Sequence, residues 1–142
     1  MTLRYWDASA LVPLCVAEPS SATLRRLALT GSIITWCLSP VEIVSAIERR
    51  SRQGALSAPA RDAALKNLAE LAESWTEITA LAAVRQRAVR VLAIHALRAA
   101  DALQLAAALL AAGDQPSRCE FVCVDARLRE AAAREGFQTV ES

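Results

Sequence analysis

Asp7, Glu42, Asp101 and Asp125 are the residues of this chain whose type and surroundings best suit chemistry. Asp101 lies in the stretch from Leu97 to Ala108, where almost every neighbour is apolar and only Gln104 shares its helical face at i+3. A helix this apolar reads as buried for most of its circumference, and a carboxylate on it needs a partner. A divalent metal ion bound through oxygen is a good one. Asp7 and Asp125 follow directly on the apolar runs ending at Trp6 and Val124, and Glu42 opens a mid-chain helix. Several carboxylates around one or two Mg²⁺ or Mn²⁺ ions can activate a water, neutralise phosphoryl oxygens and stabilise a leaving oxygen, which is what phosphodiester hydrolysis requires. Without the metal, repulsion among them is severe.

Each acid also has a structural explanation. In Ser39-Pro40-Val41-Glu42, Ser39 reads as a helix cap, Pro40 fits the first helical position, and Glu42 completes a capping box. Asp125 can cap the helix starting at Ala126, and Asp7 or Ser9 can cap the helix starting at Ala8. Asp101, in a first helical turn, is favoured by the helix dipole.

Alternating elements must position these acids. Strands are expected at 3–6, 33–38, 120–124 and 137–140, with a weaker one at 75–79. Helices are expected at 8–17, up to about 29, 39 to about 53, from 58 through Leu65, Leu68 and Leu71, 81–95, 99–112 and 126–134. Val84, Ala88, Val91 and Leu92 form the expected buried stripe of the helix at 81–95. Gly54, Gly113 and Gly136 close helices. This order indicates an α/β fold, a three-layer α/β/α sandwich with a mostly parallel central sheet, as a single domain over residues 1–142. In such sheets function collects at the carboxyl ends of the strands, where Asp7 and Asp125 fall.

A 54% hydrophobic fraction excludes a disordered tail, and no apolar run is long and uncharged enough to span a bilayer. Asp7 interrupts the N-terminal stretch too early for a signal peptide, so a cytoplasmic protein with no membrane partner is expected. Four cysteines without a CxxC pair, and one histidine, argue against structural zinc. Cys37 and Cys123 are expected as buried free thiols. At a net charge of +1, any nucleic-acid site must be local and helped by metal ions.

Taken in order, four pieces of the sequence resemble the PIN domain, and specifically the VapC-type toxins of bacterial toxin–antitoxin pairs. They are Tyr5-Trp6-Asp7-Ala8-Ser9-Ala10-Leu11, Ser39-Pro40-Val41-Glu42, the Asp101-Ala102-Leu103-Gln104-Leu105-Ala106 segment, and Phe121-Val122-Cys123-Val124-Asp125-Ala126-Arg127-Leu128. The resemblance spans essentially the whole chain. It implies a Mg²⁺- or Mn²⁺-dependent endoribonuclease acting on structured RNA such as tRNA or rRNA. By that resemblance Asp7 and Asp101 hold the principal metal, Glu42 assists through water or helps activate the nucleophile, Asp125 completes the site or supports a second ion, and Ser9, which keeps the hydroxyl common after the first acid, stands between a supporting role and a plain helix cap. It further implies a cognate antitoxin protein and a homodimer. The sequence departs from the family at Cys123, where Thr or Ser is frequent. A thiol is a weak donor and a poor Mg²⁺ ligand, so weaker support is expected around Asp125. Two other readings stand beside the toxin: a PIN-like nuclease of RNA processing without an antitoxin, and a non-catalytic PIN-fold interaction module.

The remaining polar residues divide between roles. His95 ends a helix, where packing or dipole complementation is the expected use. Arg98 is placed to meet either Asp101 or an RNA phosphate. Arg49, Arg50 and Arg52 cluster at a helix end, as a solvated face or as an RNA backbone contact. Trp6, Trp36 and Trp75 are expected in packing.

Overall fold

The computed structural model describes residues 3–140. Its five strands form one all-parallel sheet in the order β3-β2-β1-β4-β5, where β1 is Leu3–Trp6, β2 Ile34–Trp36, β3 Thr76–Ile78, β4 Cys119–Val122 and β5 Gln138–Val140. β1 is central, with Tyr5 level with Ile34 on one side and with Phe121 on the other. Strands flanked on both sides and covered on both faces need apolar side chains on both faces, and the runs Leu3–Trp6 and Phe121–Val122 supply them.

Side chains alternate across a strand, so neighbours in sequence enter different layers. Tyr5 and Phe121 point into a core with α5 (Leu81–Ile94), α6 (Ala99–Ala111) and α7 (Ala126–Glu135). Trp6 and Val122 point into the other, with α1 (Ala8–Cys15), α2 (Ser21–Ala28), α3 (Ser39–Arg52) and α4 (Ala58–Ser74). The result is a three-layer α/β/α sandwich. Tyr5 stacks on Phe121 with ring centroids 5.6 Å apart. Trp6, Trp36 and Trp75 are all buried in packing.

α6 carries Asp101 and is buried along most of its length. Ala102, Leu105, Ala106, Ala107 and Ala108 are fully buried, and small side chains let α5 and the sheet approach closely. Gly136, at φ 108°, ends α7 in the left-handed conformation and turns the chain into β5. Among the described residues no single helix is long and apolar enough to cross a membrane.

Three expectations change. Leu92 faces solvent at 42% exposure, because the buried stripe of α5 runs through Val84, Ala88 and Val91 alone. Cys37 is half-buried, since β2 ends one residue before it; the four cysteines are otherwise free as expected. The capping box at Ser39 does not form. Leu38 occupies the cap position with no side-chain bond, and Ser39 is the first helical residue, its hydroxyl turned into the core.

Candidate active site

The four acids are delivered to one edge of the sheet by four element starts. β1 ends at Asp7, which caps α1. β4 runs on to Asp125, which caps α7 through Leu128 N–H at 3.0 Å. Glu42 and Asp101 sit in the first turns of α3 and α6. Their fields couple them. The charge of Asp101 bears on Asp7, those of Asp7 and Asp101 on Glu42, and that of Asp125 on Asp101.

Asp7 is only 3% exposed. Burial raises its carboxyl from the ordinary 3.8 to about 6, against the Ser9 hydrogen bonds that lower it, and the Asp101 charge adds to the rise. The Ser9 hydroxyl donates to Asp7 Oδ1 at 2.8 Å and its backbone N–H to Oδ2 at 3.2 Å. Val124 N–H in turn donates to Ser9 Oγ at 3.1 Å, tying the end of β1 to the end of β4. The alternatives for Ser9 resolve here: Asp7 is the cap, and Ser9 holds its carboxylate.

Cys123 also serves this corner. Its sulfur lies 3.6 Å from Ser9 Oγ, and its thiol donates to the backbone carbonyl of Asp125 at 3.3 Å. Burial pushes that thiol well up, so it stays protonated. Among the described residues Cys123 makes no hydrogen bond to the Asp125 carboxylate. The Asp125 carboxylate is held by the α7 backbone, and the thiol packs beside Ser9 and Asp7.

Glu42 does not cap α3; it faces α6. Gln104 Nε2 donates to Glu42 Oε2 at 2.5 Å and to Ser39 Oγ at 3.0 Å, while the Tyr5 hydroxyl donates to Gln104 Oε1 at 2.6 Å. Thr35 donates to the carbonyl of Trp6 at 2.8 Å, so Ser39 donates to Thr35 Oγ1 at 2.7 Å. Every hydrogen in this buried chain has an assigned place, which fixes the amide's orientation and pins Glu42. Burial raises the Glu42 carboxyl from the ordinary 4.5 to about 7 even though the Gln104 hydrogen bond lowers it; the charges of Asp7 and Asp101 raise it further. Burial and then the Asp125 charge also raise Asp101, while Arg98 and Arg127 pull it back.

Above this floor lies a groove of about 890 Å³, lined by Ser9, Glu42, Arg49, Arg98, Asp101 and Asp125 among others. Arg49 reaches it because it lies two helical turns beyond Glu42 on the same face of α3. Arg50 does not: it pairs with Glu18 at 2.7 Å and donates to the carbonyl of Ala46, so its expected RNA contact is corrected to a structural one. His95 hydrogen-bonds Glu135 at 2.7 Å, away from the acids.

The donor set suits a hard divalent cation in chemistry, being carboxylate oxygens with a hydroxyl nearby. Among the described residues no group of three or more His, Cys, Asp or Glu side chains stands arranged to hold a metal ion. Mg²⁺ commonly takes one or two carboxylates and keeps several waters, so the set fits in that mode. No protein-family model matches the chain, and no curated protein matches it.

Proposed function

We propose that this protein is a Mg²⁺- or Mn²⁺-dependent endoribonuclease and that it acts in the cytoplasm as the toxin of a toxin–antitoxin pair. The observation that carries the reading is the convergence of Glu42, Asp101 and Asp125 on one groove, with buried Asp7 held by Ser9 of its lining, where burial and neighbouring charge raise the proton affinities of Asp7, Glu42 and Asp101. Such a cluster is short of positive charge, and a divalent ion supplies it while polarising a phosphoryl oxygen and acidifying water. Asp7 and Asp101 are the residues to hold it, with Asp125 at the rim. Ser9 orients Asp7. Glu42, held by Gln104 at the groove, is suited to accept a proton from an attacking water. Arg49 and Arg98 offer charge to the RNA backbone.

The absence of a convergent three-ligand group favours a second reading, a non-catalytic interaction module. Cleavage of total RNA with Mg²⁺ or Mn²⁺ separates the two: the nuclease cuts and EDTA stops it, whereas cutting that ignores EDTA, or none at all, rejects the assignment. The toxin role, with its antitoxin and a homodimeric assembly, requires that expression alone slows growth. Normal growth with soluble wild-type protein rejects the toxin and leaves the nuclease.

A further inference from the structure

Beside the acidic groove lies a second hollow of about 330 Å³, and Arg127 lines both. Its walls are mixed. Leu97 and Ala131 give an apolar side, His95, Arg127 and Arg134 bring nitrogen donors, and Glu130 brings a carboxylate. Two of those donors are engaged: His95 with Glu135, and Arg134 with Glu130 at 2.7 Å. Among the described residues Arg127 has no hydrogen-bond or ion-pair partner, although its charge reaches Asp101. An exposed guanidinium at the saddle between two hollows is placed to take a phosphate in its fork.

We propose that the second hollow holds the RNA nucleotide adjoining the one in the acidic groove, with Arg127 gripping the phosphate between them. This rests on the ribonuclease reading. The groove's own carboxylates repel RNA, so affinity must come from cations at its edges, and Arg127 is the one from which the strand has somewhere to continue. The apolar side formed by Leu97 and Ala131 suits a base, whose flat face tolerates any sequence. The hollow therefore extends the footprint by a nucleotide and asks for single-stranded RNA.

The test uses full-length Asp101→Asn protein, to suppress cutting, with a fluorescein-labelled single-stranded RNA of mixed sequence in Mg²⁺. Binding is followed by anisotropy from 50 to 200 mM salt. In that background Arg127→Ala is expected to weaken binding roughly tenfold and to lower the slope of log K against log salt by about 0.7, the loss of one phosphate contact on a single strand. Ala96→Glu, at the exposed mouth of the hollow, is expected to weaken binding comparably, and Arg26→Ala on α2 to leave it unchanged. Urea unfolding confirms that each variant is folded. An unchanged slope in Arg127→Ala, or full affinity in Ala96→Glu, overturns the proposal while the ribonuclease reading stands. No binding by the Asp101→Asn parent rejects that reading first.

Discussion

Replacing Asp7 by Asn is expected to stabilise the metal-free protein. The Asp7 carboxyl is raised from 3.8 to about 6, roughly two units, and each unit corresponds to about 1.36 kcal/mol. Ionised Asp7 therefore costs the fold about 3 kcal/mol. The sign follows from proton binding: between the two values the folded protein holds a proton that the unfolded chain has released. Its contribution to stability is complete below about pH 4, is lost as pH rises to about 6, and stays lost above. Asn keeps the shape but only one acceptor oxygen, so it can retain the Ser9 backbone bond that caps α1 while its amide nitrogen faces the Ser9 hydroxyl and that second bond from Ser9 is lost. Allowing for the lost Ser9 bond and the new amide hydrogens, a gain of about 1 kcal/mol is expected at pH 8, roughly 3 °C in Tm for a chain of this size. The assay is urea unfolding with EDTA at pH 5 and pH 8. Wild type is expected to be weaker at pH 8, with the variant losing much of that difference. Part of the slope persists because Glu42 titrates in the same direction, near 7. A variant less stable than wild type at pH 8, with the pH difference undiminished, refutes the reasoning.

Gln104→Leu removes the group that satisfies Tyr5, Ser39 and Glu42, so a loss of about 3 kcal/mol is expected in urea unfolding, with Tyr5→Phe costing about 1 kcal/mol. Gly136→Ala meets both a φ of 108° and a Pro116 Cγ 3.2 Å from the new methyl; a destabilisation of about 1–2 kcal/mol in thermal melting is expected. Arg50→Ala breaks the pair with Glu18 and the bond to the Ala46 carbonyl, costs about 1 kcal/mol, and leaves RNA affinity intact, whereas Arg49→Ala lowers affinity in the same binding assay.

Local pattern made the architecture legible. The apolar run ending at Asp7, the buried character of α6 and the glycine at 136 each carry their signal within a few residues, and the structure places strand, helix and cap accordingly. Of the site, the four acids and their sheet-edge location were readable, because strand ends and helix starts are sequence features. The support beneath them was not. Tyr5 and Gln104 lie 99 positions apart and Gln104 and Glu42 62 apart, so only the fold brings them together. Ser39 misled because a serine before Pro40 looks the same whether its hydroxyl caps the helix or enters the core. Arg49 and Arg50 were separable in principle: the helical repeat from Glu42 selects Arg49. Arg127 carried no local signal beyond its closeness to Asp125.

The central claim is that these coupled acids cut RNA through a divalent ion. Its most direct test is the rate of RNA cleavage by purified wild type and Asp101→Asn in Mn²⁺, with EDTA as control and the fragment ends identified. The expected result is cleavage by wild type alone, about 100-fold or more above the variant, abolished by EDTA. Equal rates for the two proteins would contradict it.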